Sequence, residues 1–170
     1  MDAATIFELV KLVLLLGLIA YLLVYLSRGA IYLPSHPAAV NHMIKALDIK
    51  PGEHAVDLGS GDGRVVIAMA KAGAIATGYE VNPMLVWLSR QKAKASGVAD
   101  KTTFIRKSFW RANFSDVQCV TVFGMTHIMK ELEEKLMKEL PVGARVVSNG
   151  FKFPHWKGED VAQGVYLYHR

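Results

Sequence analysis

Asp57-Leu-Gly-Ser-Gly-Asp-Gly63 places an acid two residues ahead of three glycines at alternate positions. Alternating glycines let a backbone turn tightly and bring its N–H groups against a ligand, because no Cβ stands in the way. The residues before the turn read as the end of a buried strand, and residues 65–72 read as an apolar helix. The start of such a helix offers unpaired N–H groups and a positive dipole end at the same point. That combination is a nucleotide pocket. A second acid, Glu80, ends the next predicted strand, where a carboxylate can grip ribose hydroxyls.

Composition narrows the chemistry further. The 170 residues suffice for one domain of ordinary size, and the net charge of +5 resides outside the apolar leader, where Asp2 and Glu8 cancel Lys11 and Arg28. Basic residues do not cluster with aromatics, which argues against a nucleic-acid partner. The single cysteine, Cys119, excludes an internal disulfide and sits in an apolar run expected to be core. The six histidines show no ligand spacing, so no metal site is expected.

The leader is apolar from residue 6 to residue 26 except for Glu8 and Lys11. As a helix that stretch rises about 31 Å, matching a hydrocarbon core of roughly 30 Å. Glu8 and Lys11 share a helix face and can pair or snorkel, and Tyr21 and Tyr25 suit the opposite interface with Arg28 just beyond. A cleavable signal peptide would want a basic start and a small-residue cleavage site, which this start, Met-Asp-Ala-Ala, does not offer. Residues 1–30 are expected to form a single N-terminal transmembrane anchor, with an interfacial helix or a signal peptide as the alternatives. Arg28, Lys45 and Lys50 favour a single-pass membrane protein with its body facing the cytoplasm. Tyr32-Leu-Pro-Ser-His-Pro37 reads as a short extended linker, so the body would stay within about 35 Å of the bilayer.

The body, residues 31–170, alternates predicted helices and strands. Pro37 starts a helix whose Val40, Met43, Ile44 and Leu47 form one apolar face. Strands are expected at the glycine turn and at residues 74–80, 102–105, 118–123, 144–148 and 164–169. Asn82-Pro83 opens a helix with Met84, Trp87 and Leu88 expected inward, and a later helix carries Met129, Leu132, Leu136 and Leu140 on one face. This alternation predicts an α/β fold with a parallel, doubly wound sheet.

The glycine spacing separates two nucleotide-binding classes. A dinucleotide fingerprint wants a third glycine at the position held by Arg64. Asp57, the glycine turn and Glu80 instead resemble motif I and its acidic successor in seven-strand, S-adenosylmethionine-dependent methyltransferases. The resemblance extends through Tyr79-Glu-Val-Asn-Pro-Met-Leu-Val86, Phe109-Trp110, Val122-Phe-Gly-Met125 and Phe151-Lys-Phe-Pro-His-Trp156, after Tyr-Leu-Pro-Ser-His-Pro. In that order these motifs are similar to the small membrane-anchored protein-lysine methyltransferases that modify the mitochondrial ATP synthase c subunit and adenine nucleotide translocator. The short chain without a presequence points to a prokaryotic member.

The resemblance implies a Rossmann-like class I methyltransferase sheet over residues 31–170, preceded by the transmembrane helix, with S-adenosyl-L-methionine as cofactor. Asp57, Gly59 and Gly61 would line its methionine end, Glu80 its ribose, and Ser108 and Phe109 its adenine. Ser60, Asp62, Gly63, Val81 and Asn82 complete the implied cofactor set. Phe123, Gly124, Met125 and Thr126 are the acceptor-site candidates, and Pro34 and His36 the lid candidates; no catalytic residue is identified. Family members usually carry an acid where Ser108 stands, and an acid is common at Asn113. The implied partners are the membrane and a lysine-bearing membrane protein. Two other readings remain open on the residues: a small-molecule or lipid-headgroup amine as acceptor, or a non-enzymatic membrane adaptor with a degenerate pocket.

Overall fold

A computed structural model describes residues 2–28, 35–124, 126–162 and 164–170. The chain forms two compact units, Met1–Leu33 and Pro34–Arg170.

The first unit is built on helix α1 (Ala3–Arg28). Asp2 starts it by accepting the Thr5 N–H at 2.8 Å. Large apolar side chains stay exposed at successive positions from Ile6 to Ile19, so they occur on every face rather than on one stripe. Glu8 and Lys11 pair at 2.9 Å, as their spacing predicts. The expected transmembrane span is not supported: among the described residues, no helix is long and apolar enough to cross a membrane. The fully described stretch, residues 5–19, rises only about 22 Å. The side chains of Tyr21, Tyr25 and Arg28 lie outside those described.

The second unit is a seven-stranded α/β sheet. Its strands are β1 (His54–Leu58), β2 (Ile75–Glu80), β3 (Thr102–Arg106), β4 (Cys119–Val122), β5 (Arg145–Asn149), β6 (Glu159–Ala162) and β7 (Val165–His169). They run in the order β3-β2-β1-β4-β5-β7-β6. The first five are parallel, while β7 runs antiparallel to both β5 and β6. The purely parallel expectation fails at that edge. Too few residues separate β6 from β7 for a crossover helix, so a short reversal joins them instead. The exposed strand β6 carries no apolar run, which is why the sequence gives no sign of it.

Helices cover both faces. On one, α2 (Pro37–Leu47), α3 (Arg64–Lys71) and α4 (Pro83–Ala95) bury Met43, Leu47, Val66, Met69 and Val86. On the other, α5 (Thr126–Glu139) packs Met129, Leu132 and Leu136 against Val120, Val122 and Val146. Between β3 and β4 the chain makes only a short 3₁₀ turn, Phe109–Arg111, and Ile75 on β2 remains 51% exposed. Cys119 is fully buried, as expected for core, and burial pushes its thiol up to about 11.

The phase of α4 differs from the expected one. Val86, Ser89 and Ala93 face the sheet, whereas Met84 and Trp87 are 68% and 57% exposed. Hydropathy favours the larger residues, but the space beneath α4 admits only small ones. A Cβ at Gly63 would stand 2.5 Å from Ser89 Cβ and 2.8 Å from the Phe104 ring. Close approach of turn, helix and strand, not hydrophobicity, sets the face.

Candidate active site

The sheet order reverses direction between β1 and β4, which opens a crevice beyond their carboxyl ends. The glycine turn lies there. Gly59, Gly61 and Gly63 all hold positive φ, at 81°, 52° and 79°, which only glycine adopts cheaply. The Gly59 and Ser60 N–H groups both donate to the Tyr79 carbonyl, at 3.0 and 2.9 Å, tying the turn to the end of β2. Gly63 N–H closes the turn on the Ser60 carbonyl at 2.8 Å.

Glu80 sits at the join. Its Oε2 accepts the Gly61 N–H at 3.0 Å and its Oε1 accepts the Asn82 N–H at 2.8 Å. Asn82 is the N-cap of α4, its Oδ1 accepting from Met84 and Leu85, with Pro83 in the first turn. Val81, between them, is exposed at the mouth. The Lys107 N–H donates to the Glu80 carbonyl at 3.1 Å, which brings the end of β3 to the same place. Ser108 and Phe109 follow directly, half-buried, and Phe109 packs on Trp110 with ring centroids 4.9 Å apart.

Two acids, Asp57 ahead of the turn and Asp62 within it, are in opposite electrostatic states. Asp57 is buried at the end of β1, and burial pushes its carboxyl up to about 7. The Thr121 hydroxyl donates to its Oδ1 at 2.7 Å and opposes that rise, while the nearby Glu80 and Asp62 charges add to it. Asp62 is also buried, which disfavours its charge, yet it is held well below the usual carboxylate range. Arg64 reaches it with Nε and Nη2, each at 2.9 Å, and Lys92 of α4 completes the clamp. Both Asp62 oxygens thus serve the turn itself. Gly63 likewise provides close packing rather than an open surface, whereas a Cβ at Gly59 would meet nothing within 4 Å.

Beyond β4 stand Phe123, 38% exposed, and Gly124; Thr126 opens α5, and Met125 lies outside the described residues. Of the lid candidates, Pro34 also lies outside them. His36 is the N-cap of α2, its Nδ1 accepting the Ala38 N–H at 3.4 Å. Its buried neighbour Ser35 reaches the site instead. The Ser35 carbonyl accepts from Arg64 at 2.9 Å, and its hydroxyl accepts from Asn149 at the end of β5 at 3.2 Å. Sequence reasoning misses Ser35, Lys92, Thr121 and Asn149. A polar threonine inside an apolar strand and an Asn-Gly pair at a strand end are the only signals that could have found any of them.

The family model of the ANTKMT methyltransferase domain matches residues 57–160. A rat lysine N-methyltransferase named for the ATP synthase c subunit is 45% identical over 125 residues, which cover 74% of this chain and 57% of that one. The chain therefore spans little more than half the length of this curated relative. A protein-lysine N-methyltransferase from Saccharolobus islandicus is 30% identical over 147 residues, 81% of this chain and 91% of its own. Among solved structures, an RNA methyltransferase from Salinibacter ruber in complex with S-adenosyl-L-homocysteine is 33% identical, with a TM-score of 0.74. That match covers 80% of this chain and 91% of the other. The family match runs from the buried carboxylate of β1 into β6, more than half of the chain, and the protein belongs to the ANTKMT methyltransferase domain family.

Proposed function

We propose that the protein is an S-adenosylmethionine-dependent N-methyltransferase acting on a lysine ε-amine of a membrane protein. The observation that carries the cofactor is Glu80, whose carboxylate is fixed by the glycine turn it must share with a nucleoside. The pocket fits that group in three further respects. The surface at Gly59 is open, and the Ser60 hydroxyl is buried without a hydrogen-bond partner among the described residues. Among those residues, Asp57 receives a hydrogen bond on Oδ1 alone, which leaves an acceptor for a ligand cation. Glu80 would hold the ribose, Asp57 and the Gly59–Gly61 backbone the methionine end, and Ser108 with Phe109 the adenine.

When bound, the cofactor supplies a methyl group already activated by a sulfonium. The chain's task is then to hold a neutral amine in line with it. Neutralising a lysine at pH 7 costs about 4.6 kcal/mol from a reference value near 10.4, and desolvation beside a positive charge lowers that cost. No dedicated base is required. Phe123, Gly124, Met125 and Thr126, past β4, are the proposed acceptor side of the crevice. The names of the rat and Saccharolobus relatives support lysine as the acceptor.

The membrane part of the proposal rests on α1. A helix with apolar side chains exposed on every face suits lipid, and residues 1–30 are proposed to attach the domain to a membrane with residues 31–170 on the cytoplasmic side.

Incubating membranes with methyl-labelled cofactor and the full chain tests the reaction. Label is expected in protein, recovered after hydrolysis as methyl-lysine. Label that extracts with lipid, or that ribonuclease releases, overturns the lysine assignment. A carbonate wash that strips the full chain from membranes overturns the attachment.

A further inference from the structure

β4 and β5 are parallel neighbours with Val122 opposite Ser148, so Phe123 and Asn149 emerge side by side at the carboxyl edge of the sheet. Gly150 follows at φ 84°, and a Cβ there would stand 3.0 Å from Cε2 of Phe123. Only glycine lets the turn pass so close to the ring. The turn carries Phe151 to a ring-centroid distance of 6.4 Å from Phe123. Fully buried Ser148 fixes it from beneath by donating to the Phe151 carbonyl. The two rings make one apolar wall that solvent still reaches, since Phe123 is exposed and Phe151 half-buried.

Asn149 stands beside this wall with its amide oriented. Its Nδ2 donates to Ser35, and Ser35 is held in turn by Arg64 at the start of α3. Among the described residues, the Asn149 Oδ1 has no hydrogen-bond partner.

We infer that Asn149, Phe123 and Phe151 form the acceptor subsite, taking an n-alkyl primary amine of lysine length; the inference rests on the methyl-transfer reading above. The methylene stem lies along the two rings, and the amine donates an N–H to Asn149 Oδ1. An amide oxygen accepts that N–H without the full negative charge that would hold the amine protonated. The apolar wall also disfavours the ammonium, by desolvating it. It also selects against ethanolamine headgroups, whose amine lies two carbons from a charged phosphate. Ser35 is a positioning residue that sets the amide's direction.

The test uses the full chain saturated with S-adenosylhomocysteine and probed with n-butylamine by saturation-transfer NMR. Wild type is expected to give a butylamine signal several-fold above that of ethanolamine, and Phe151→Ala to lose it while its calorimetric Kd for S-adenosylhomocysteine stays within twofold. Phe151→Leu, which keeps apolar bulk, is expected to retain most of the signal. In turnover, Phe151→Ala raises KM for the lysine acceptor at least tenfold, with a smaller change in kcat. Asn149→Asp places a full charge at the amine, so its pH–rate profile moves to higher pH and its kcat at pH 7 falls. A butylamine signal that survives Phe151→Ala, or an unshifted pH profile in Asn149→Asp, overturns the subsite. A wild type that binds butylamine yet labels no protein lysine instead overturns the lysine reading and leaves the amine subsite standing.

Discussion

Gly61 and Glu80, 19 residues apart in the chain, are joined by a hydrogen bond of 3.0 Å from the glycine N–H to the carboxylate. The other Glu80 oxygen takes the Asn82 N–H at 2.8 Å, so one side chain spans the glycine turn and the start of α4. Both oxygens therefore face backbone donors. Glu80→Gln must turn its NH₂ toward one of those N–H groups in either orientation. Loss of one such bond loosens the turn, and the ribose loses a charged acceptor worth about 1.5–3 kcal/mol, so affinity for S-adenosylhomocysteine is expected to fall roughly 10- to 100-fold. Isothermal calorimetry checks it, and a Glu80→Gln affinity equal to wild type would show that this carboxylate does not organise the site.

The raised carboxyl of Asp57 predicts a pH dependence of definite sign. Folded protein binds this proton more tightly than the unfolded chain, whose carboxyl titrates near 3.9. The associated stability is fully present below about pH 4 and is lost as pH rises to about 7. Relative to Asp57→Asn, wild-type Tm in the absence of cofactor should decline between pH 5 and pH 8. Affinity for the cationic cofactor should rise over the same interval, because only ionised Asp57 attracts it. Thr121→Val removes the hydrogen bond that opposes the shift and should move both profiles to higher pH. Parallel curves for wild type and Asp57→Asn would refute this account.

Asp62 behaves in the opposite sense. Its depressed carboxyl stabilises the fold above about pH 4, and that contribution disappears as pH falls into the strongly acid range. Asp62→Ala should cost about 1–3 kcal/mol in urea denaturation. The figure is below that for a fully buried pair because Arg64 and Lys92 are 34% and 44% exposed and can rehydrate. Lys92→Met, which leaves the Arg64 contacts, should cost less than half as much.

Two glycines of one turn should fail differently. Gly63→Ala forces a Cβ into Ser89 and Phe104 at a positive φ, and about 2–4 kcal/mol of stability should be lost. Gly59→Ala meets no neighbour and should cost only about 1 kcal/mol, from its φ of 81°. Its methyl projects into the open side of the turn, so its main effect should be weaker S-adenosylhomocysteine binding. Denaturation midpoints and calorimetric affinities measured on both variants separate the two roles.

Much of the nucleotide end is legible in the sequence. Asp57, the glycines and Glu80 lie on two consecutive strand–turn–helix units, so their spacing along the chain fixes their spacing in space. Distinctions within that motif are not legible. Gly59 and Gly63 read alike, and only the packing of Ser89 and Phe104 shows which one faces open space. Asp57 and Asp62 also read alike, until Thr121 and Lys92 arrive from elements 64 and 30 residues away and set their charges apart.

The sequence by itself determined the order of strands and helices apart from β6, the nucleotide turn and its acid, and an apolar leader, because local periodicity and backbone chemistry suffice for these. Tertiary structure decided the antiparallel edge, the buried face of α4 and the meeting of Ser35, Asn149 and Arg64. Ser35 and Asn149 are 114 residues apart, and no periodicity links them. They meet because parallel β4 and β5 end together at the carboxyl edge of the sheet, where the segment before α2 also passes.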